Sequence, residues 1–254
     1  MTENNGRTSK RHDFLGCAVD ALTKDEALET VRALARGAEP SCVMFLNVDV
    51  MVKADSNETL RALTWRSAAC LMDGRPPLKV ARMMGIPLPE KVSGSDLVPS
   101  VCRMAAGEGM KVLFLGGAEG VPERAAANVE HDYPGVRASA YSPEYGFERT
   151  ADGRNLVVAK VREEAPDILF ACLGCPKQEE FVTEFMDEMG VPCTVCAGAT
   201  VDFMAGSLAR APEWASRAGL EWLYRFLKEP RRLFRRYFVD SWHFLAMVRR
   251  GWSR

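Results

Sequence analysis

Five arginines crowd residues 225–236, and guanidinium groups are well suited to binding phosphate. They are Arg225, Arg231, Arg232, Arg235 and Arg236. On a helix only Glu221 and Glu229 are available to pair with them, so most of this positive charge has no partner in the sequence. Guanidinium forks bind phosphate in bidentate fashion, and basic amphipathic helices lie on lipid headgroups. The stretch therefore predicts contact with a diphosphate group or with an anionic membrane surface.

Glycine and short polar residues follow several apolar runs of the chain. These positions are Asn47, Asp73-Gly74, Gly116-Gly117, residues 174–179, and Gly198 with Asp202. Two glycines before a helix indicate backbone amides that can approach a phosphate, although the third glycine of a dinucleotide fingerprint is missing. The alternative interpretation is structural, since glycine serves strand-to-helix turns and Asp or Asn caps helices.

Eight cysteines raise the question of metal binding. Cys172-x-x-Cys175 and Cys193-x-x-Cys196 formally satisfy a four-cysteine zinc pattern. However, they end or lie within apolar runs, where residues three apart point to opposite faces of a strand. We therefore expect reduced, mostly buried thiols and no metal site.

Short apolar runs alternate with helical patterns and predict the elements that position these residues. The predicted strands are 14–19, 41–48, Ala69–Met72, Lys111–Leu115, 136–141, 167–173 and 193–197. One predicted helix begins at the capping box Thr23–Glu26, and a second follows the strand 41–48 and ends near Arg66. Three more span 94–106, 120–131 and 152–164, and a last one begins after Glu179. Such alternation predicts an α/β fold with a Rossmann-like, mostly parallel sheet and helices on both faces. Because ligands bind at the carboxyl ends of such strands, the polar strand-end residues should share one edge.

Composition sets the domain organisation. The chain has 254 residues, of which 47% are hydrophobic and 26% charged, which suits one large domain and an appendage. The net charge of −1 hides an asymmetry, since residues 219–254 hold nine Lys or Arg against three Asp or Glu. We predict a disordered N-terminus (1–12), a core (13–218) and a basic amphipathic helical appendage (219–254).

Nothing in the sequence predicts a membrane span or a secretory signal. No apolar run approaches the roughly 18 residues of a spanning helix, and the N-terminus is polar. We expect a cytoplasmic location and no nucleic-acid partner. A homo-oligomer is among the states that the sequence allows.

Several blocks in this order resemble the WecG/TagA/CpsF glycosyltransferase family, from about residue 14 to about 245. The blocks are Asp73-Gly74, Gly94-Ser-Asp96, Leu115-Gly-Gly117, residues 174–179, 202–206 and 210–212, Gly219-Leu-Glu-Trp222, and Tyr224-Arg225 with Glu229-Pro230 and Arg232. The resemblance implies an inverting, metal-independent enzyme without cofactor. It would move N-acetylmannosamine or a related hexose from a UDP-sugar to N-acetylglucosaminyl-diphospho-undecaprenol. Such enzymes serve teichoic acid, exopolysaccharide and cell-wall biogenesis at the inner face of the cell membrane.

The resemblance assigns roles to individual residues. Asp73 matches the catalytic carboxylate, a base for the acceptor hydroxyl, and Asn47 matches a strand-end asparagine. The family often has threonine where this chain has Phe45, and arginine where it has Lys91. Further substrate-binding positions are Gly74, Gly94, Asp96, Gly116, Gly117, Gln178 and Glu179. Arg225, Arg232 and Arg235 match tail arginines that neutralise the departing diphosphate in place of a metal.

The tail from Pro230 onward has the pattern of an amphipathic helix. Its apolar positions are Leu233, Phe234, Tyr237, Phe238, Trp242, Leu245 and Val248. A helix packed on its own domain shows much the same pattern. The resemblance favours peripheral association with an anionic membrane surface.

Two functions of other classes compete with the transferase. A dinucleotide-binding enzyme, for instance an oxidoreductase, would have G-x-G-x-x-G after its first strand, where this chain has no glycine between Gly16 and Gly37. A catalytically silent membrane scaffold would keep the fold and tolerate the departures at Phe45 and Lys91.

Overall fold

The computed structural model describes residues 10–208, 224 and 240–252. The elements below are numbered over those residues. Arg225, Arg232 and Arg235, which are predicted to neutralise the departing diphosphate, lie outside the described residues. Most of the predicted appendage also lies outside them.

A six-stranded parallel sheet forms the centre of the described fold, in the order β4-β3-β8-β7-β5-β6. Its strands are β3 (Ser41–Leu46), β4 (Ala69–Met72), β5 (Lys111–Leu115), β6 (Arg137–Tyr141), β7 (Ile168–Ala171) and β8 (Cys193–Cys196). The chain leaves β5 toward β6 on one side and leaves β7 toward β8 on the other. In folds of this kind, such a divergence at the carboxyl edge marks the usual ligand position. The predicted α/β, Rossmann-like fold is confirmed.

Helices cover both faces of this sheet. They are α1 (Lys24–Ala35), α2 (Val48–Ser56), α3 (Glu58–Arg66), α4 (Arg75–Met83), α5 (Gly94–Glu108), α6 (Val121–Asp132), α7 (Ala151–Glu164), α8 (Lys177–Met189), α9 (Thr200–Met204) and α10 (Asp240–Trp252). Successive strand residues alternate between faces. Val43 and Phe45 join a core cluster with α1, α5 and α6, whereas Met44 and Leu46 join a second cluster with α2, α3 and α10.

The predicted single strand 14–19 is wrong, because this segment forms an antiparallel hairpin. β1 (Arg11–Phe14) pairs with β2 (Cys17–Asp20). Leu15 and Gly16 form the turn with φ of +56° and +88°, the positive angles that two-residue hairpin turns require. The amide of Gly16 donates to Asp13 Oδ1 at 2.7 Å. The strand β1 therefore begins inside the segment 1–12 that the sequence predicted to be disordered.

Two helical features were not predicted. The segment between β3 and β4 is divided at Asn57, which ends α2 and caps α3 by accepting from the Leu60 amide at 3.0 Å. The helix α4 begins with Pro76-Pro77 in its first turn. Proline is tolerated there because the first amides of a helix have no intrahelical acceptor.

The C-terminal helix α10 packs on the core. Phe244, Met247 and Val248 are buried in the second cluster. Asp55 of α2 accepts from Arg250 at 2.6 Å and lies 2.8 Å from His243 Nε2. One face of this amphipathic helix is thus used within the protein, while Trp242 and Leu245 are exposed. Among the described helices, none combines the length and the apolar character that crossing a bilayer requires.

Candidate active site

Asp73 and Asn47 meet at the carboxyl ends of neighbouring strands. The amide of Asp73 donates to the Leu46 carbonyl at 2.9 Å, which continues the β3–β4 ladder by one step. Asn47 caps α2 by accepting from the Val50 amide at 3.0 Å. Its Nδ2 lies 3.4 Å from Asp73 Oδ2. A half-buried carboxylate is therefore held at the sheet edge beside a fixed amide donor.

Gly74 turns the chain from Asp73 directly into α4. Its φ is +116°, a conformation that L side chains rarely adopt. A Cβ at this position would lie 3.3 Å from Pro77 Cδ. The glycine therefore has a clear structural role, which is to start a helix immediately after the candidate base.

Lys91 and Asp96 contact each other at the start of α5. Lys91 Nζ forms an ion pair with Asp96 and lies 3.2 Å from Ser93 Oγ, which donates to Asp96 Oδ2 at 2.6 Å. The amide of Val92 donates to the Met72 carbonyl at 2.8 Å, so this cluster adjoins Asp73. The structure thus brings two predicted substrate-binding residues to the site as a pair.

Gly94 lets the first turn of α5 approach the end of β8. A Cβ here would lie 2.9 Å from Thr200 Oγ1 and 3.4 Å from both the Ala197 carbonyl and Phe45 Cε2. Phe45 itself is buried among apolar residues of the first cluster. The departure from threonine at this position is therefore accommodated as core packing.

Gly116 and Gly117 follow β5, at the divergence of the sheet. The amide of Gly116 donates to the Tyr141 carbonyl at 2.9 Å, and a Cβ there would lie 2.7 Å from Leu173 Cδ2. At Gly117 a Cβ would lie 3.3 Å from Val201 Cγ1. Four strand spacings, about 19 Å, separate β5 from β4, so these glycines do not share a contact with Asp73.

Gln178 and Glu179 are buried at the start of α8. Gln178 Oε1 accepts from the Gly198 amide at 3.2 Å, and its Nε2 donates to Glu179 Oε1 at 2.6 Å. Both amide atoms of this predicted substrate-binding side chain thus contact other protein groups. They connect α8 to the end of β8.

The carboxyl group of Glu179 is only partly satisfied. Among the described residues, its Oε2 has no hydrogen-bond partner by ordinary geometry, although the Cys175 thiol is its neighbour. Burial raises the pKa of Glu179, and the hydrogen bond from Gln178 opposes that shift. Lys53 Nζ, which donates to the Cys175 carbonyl at 2.9 Å, also favours the ionised form.

The cysteines do not converge on a metal site. Cys172 and Cys193 lie in the first core cluster, whereas Cys196 belongs to the second and Cys175 packs against it. All eight thiols are unpaired, and seven are buried. Burial raises the pKa of Cys42 to about 12, which disfavours the thiolate that a metal or an electrophile would need. In the part of the chain that the structure describes, no group of three or more His, Cys, Asp or Glu could hold a metal ion.

Two functional candidates do not follow from the sequence patterns. Arg75 and Lys79 lie on the exposed face of α4, the helix that follows Asp73-Gly74. Their spacing of four residues was the available signal. It was obscured because the two prolines between them argued against a helix.

The chain is similar to known proteins over most of its length. A family model described as "Glycosyl transferase WecG/TagA/CpsF family" matches residues 12–254. A Bacillus spizizenii protein named N-acetylglucosaminyldiphosphoundecaprenol N-acetyl-beta-D-mannosaminyltransferase is 30% identical over 190 residues, or 75% of this chain and 72% of the relative. A Bacillus subtilis protein of the same name is 26% identical over 162 residues, or 64% and 61% of the two chains. A Staphylococcus aureus protein, again of that name, is 23% identical over 237 residues, or 92% and 91%. These matches confirm the resemblance drawn from the sequence.

Proposed function

Because the chain belongs to the WecG/TagA/CpsF family of glycosyl transferases, we propose that it transfers N-acetylmannosamine from a UDP donor. The acceptor is N-acetylglucosaminyl-diphospho-undecaprenol, as the names of its relatives state for those proteins. The product is an intermediate of a cell-wall or surface polymer such as teichoic acid. A related hexose is the alternative donor sugar.

The pair formed by Asp73 and Asn47 is the observation that carries this proposal. A glycosyl transferase needs a base where the acceptor hydroxyl meets the anomeric carbon. Asp73 supplies a carboxylate at the carboxyl edge of the sheet, and the amide of Asn47, 3.4 Å away, restrains it. Since Asn47 also caps α2, the donor cannot rotate away without breaking the cap.

The reaction follows from this placement. The acceptor oxygen attacks the anomeric carbon as its proton passes to an Asp73 oxygen. The new glycosidic bond forms while the bond from that carbon to the diphosphate breaks, and UDP departs with the electron pair. Attack opposite the leaving group inverts the configuration at the anomeric carbon.

The leaving group carries negative charge that must be stabilised. We assign this task to Arg225, Arg232 and Arg235, whose guanidinium groups can bind a diphosphate in bidentate fashion. In this proposal the reaction uses no metal ion or other cofactor. The arginines would take the role that a divalent cation has in other transferases.

We place the enzyme at the inner face of the cell membrane, as a peripheral protein. Its acceptor is a lipid, and the exposed side chains Trp242 and Leu245 of α10 supply apolar area beside a basic tail. Basic amphipathic segments bind anionic lipid surfaces in this way.

A product assay tests the proposal. Purified full-length protein is incubated with UDP-N-acetylmannosamine and a short-chain N-acetylglucosaminyl-diphospholipid, and both UDP and the lipid product are measured. We expect one equivalent of UDP per added sugar, and activity that persists in excess EDTA. UDP-N-acetylglucosamine and UDP-glucose serve as matched donors, and transfer from either of these alone would contradict the assignment of N-acetylmannosamine. Loss of activity in EDTA with rescue by Mg²⁺ or Mn²⁺ would contradict metal independence.

A further inference from the structure

A surface groove runs beside α4, the helix that follows the edge strand β4. Its volume is about 690 Å³, and we call it the α4 groove. Leu78, Met83 and Pro89 contribute apolar area to its lining, and Met83 is 60% exposed. An exposed methionine in a groove provides adaptable contact area for a flexible apolar ligand.

The same groove is rich in cations. Arg75 and Lys79 lie one helical turn apart and are both exposed. Their side chains have no hydrogen bond or ion pair with any residue that the structure describes. Arg82 lines the groove as well, but it donates to the carbonyls of Leu88 and Pro89 and so holds the opposite wall.

Other charged groups in the groove are already paired. Lys91 contacts Asp96, and Glu90, the one acid that lines the described groove, accepts from the Lys24 amide at 2.8 Å. The cations available to a ligand are therefore Arg75 and Lys79. Their charge has no compensating acid on the exposed face of α4.

Arg75, which lines the α4 groove, is close to the candidate base along the chain. Arg75 is two residues after Asp73, so their Cα atoms lie within about 7 Å of each other. Lys79 lies a further 6 Å or so along the helix axis. The cations thus form a row that leads away from the point where the acceptor hydroxyl must be.

The start of α4 itself offers few backbone donors. Pro76 and Pro77 have no N–H group, and the Leu78 amide donates to the Gly74 carbonyl at 3.3 Å. A helix N-terminus normally binds anions through such amides. Here an anion must instead be held by the side chains of Arg75 and Lys79.

We propose that the α4 groove binds the lipid portion of the acceptor. Its diphosphate contacts Arg75 and Lys79, and its first isoprenoid units lie along Leu78 and Met83. A polyprenyl diphosphate joins an anion to an apolar chain, and the α4 groove joins cations to apolar area in the same way. The acceptor sugar, attached to that diphosphate, then lies beside Asp73. This inference rests on the proposed function, because it locates the acceptor of that reaction.

Direct binding of farnesyl diphosphate, a soluble short-chain lipid diphosphate, tests the proposal on the full-length protein without turnover. Its Kd is measured by calorimetry for the wild type, for Arg75→Ala with Lys79→Ala, and for a control, Arg66→Ala with Arg162→Ala. The control removes the same charge from exposed positions outside the groove. We expect Kd to rise at least about tenfold in the first variant only, since charge-assisted contacts are lost. In transfer assays the KM for the lipid acceptor should rise in parallel, with kcat within about threefold.

Three results would overturn the inference. The first is an unchanged Kd for farnesyl diphosphate in the Arg75→Ala, Lys79→Ala variant. The second is an equal rise in the Kd for UDP, which would assign both cations to the donor. The third is weaker binding to phosphatidylglycerol vesicles with unchanged binding of farnesyl diphosphate, which would make this face a membrane contact.

A second variant separates the two halves of the ligand. Met83→Ser should weaken the binding of farnesyl diphosphate several-fold and leave the binding of inorganic diphosphate unchanged. Equal effects on both probes would contradict an isoprenoid contact. Because these measurements need no sugar transfer, they distinguish failure of the groove assignment from failure of the proposed function. A wild-type protein that binds farnesyl diphosphate through Arg75 and Lys79 but transfers no sugar would refute only the latter.

Discussion

Backbone geometry on both sides of Asp73 sets the position of this residue. Its amide extends the β3–β4 ladder, and Gly74 turns the chain away immediately afterwards. The carboxylate can then move only about its own side-chain bonds, and Asn47 restricts that motion. A base held in this way has little orientational freedom to lose on reaching the transition state.

Asp73→Asn should therefore lower kcat by about 100-fold or more, because the amide cannot accept the acceptor proton. The Kd for UDP should stay within about twofold, since the replacement has the same shape. Steady-state kinetics and calorimetry measure the two effects. Asp132→Asn, at an exposed position on α6, is the matched control. Activity within a few-fold of the wild type would remove Asp73 from the mechanism.

Glu179 shows the opposite situation, a carboxyl group whose surroundings are set by burial. Its pKa is raised because the charged form loses hydration. In the unfolded chain the group ionises near its ordinary pKa of about 4.3. Between that pH and its folded pKa, the folded state binds more protons than the unfolded state does. The contribution of Glu179 to stability therefore falls as pH rises through that interval.

Glu179→Gln should remove this dependence on pH. The difference in Tm, variant minus wild type, should increase as pH rises above about 4.3 and become constant above the folded pKa. Thermal unfolding at several pH values measures it. Glu180→Gln replaces the exposed neighbour, which accepts from Asn57, and provides the control. A difference for Glu179→Gln that is constant with pH would show that folding does not raise the pKa of Glu179.

Among the helices and strands, those with a clear local pattern of apolar and polar residues were predicted from the sequence. Ala69–Met72 and Lys111–Leu115 are predicted and observed with the same bounds. The hairpin of β1 and β2 was not predicted because its turn, Leu15-Gly16, contains an apolar residue and lies within an apolar run. Residues 14–19 therefore have the pattern of one continuous strand. The helix α4 was missed because two prolines resemble a break, although they stand where a helix needs no amides.

The candidate site was predictable in its position and less so in its contacts. Asn47 and Asp73 were expected at one edge because parallel strands end there together. In the structure, Asn47 Nδ2 lies 3.4 Å from Asp73 Oδ2. The pairing of Lys91 with Asp96 depends on side-chain conformation at the start of α5. The internal contacts of Gln178 depend on Gly198, 20 residues away. Neither follows from periodicity.

The two faces of α10 should respond differently to substitution. Phe244→Ala should weaken the docking of this helix, because a buried aromatic side chain is lost at a cost of about 3–5 kcal/mol. Trp242 is 75% exposed, so Trp242→Ala should leave docking unchanged. Hydrogen exchange of the amides of residues 240–252 measures docking.

Binding to phosphatidylglycerol vesicles should show the reverse order. Trp242→Ala should reduce it, whereas the surface of α10 is otherwise intact in that variant. Equal vesicle binding by Trp242→Ala and the wild type would indicate that this exposed face is not a membrane contact. Equal loss of amide protection in both variants would contradict the docking assigned to Phe244.

At the scale of the whole molecule, the C-terminal segment contributes to the core as well as to the proposed site. Phe244, Met247 and Val248 are buried beside Phe14 and Met51 in the second cluster. The region predicted as an appendage, 219–254, thus ends in a helix that returns to the main body of the protein. Its removal would expose apolar area on α2 and on the hairpin.

Truncation after Ala218 should therefore lower stability as well as activity. Each buried Phe, Met or Val side chain contributes about 1.5–3 kcal/mol, so losing three of them removes a large part of a typical 5–15 kcal/mol. Thermal unfolding should show a Tm lowered by many degrees. Arg232→Ala with Arg235→Ala in the full chain provides the contrast, since it should lower turnover on a soluble acceptor with little change in Tm. If the truncated protein had the same Tm and the same turnover rate as the full chain, α10 would neither stabilise the core nor support the site. An unchanged Tm with lost turnover would instead show that the tail contributes to catalysis without stabilising the core.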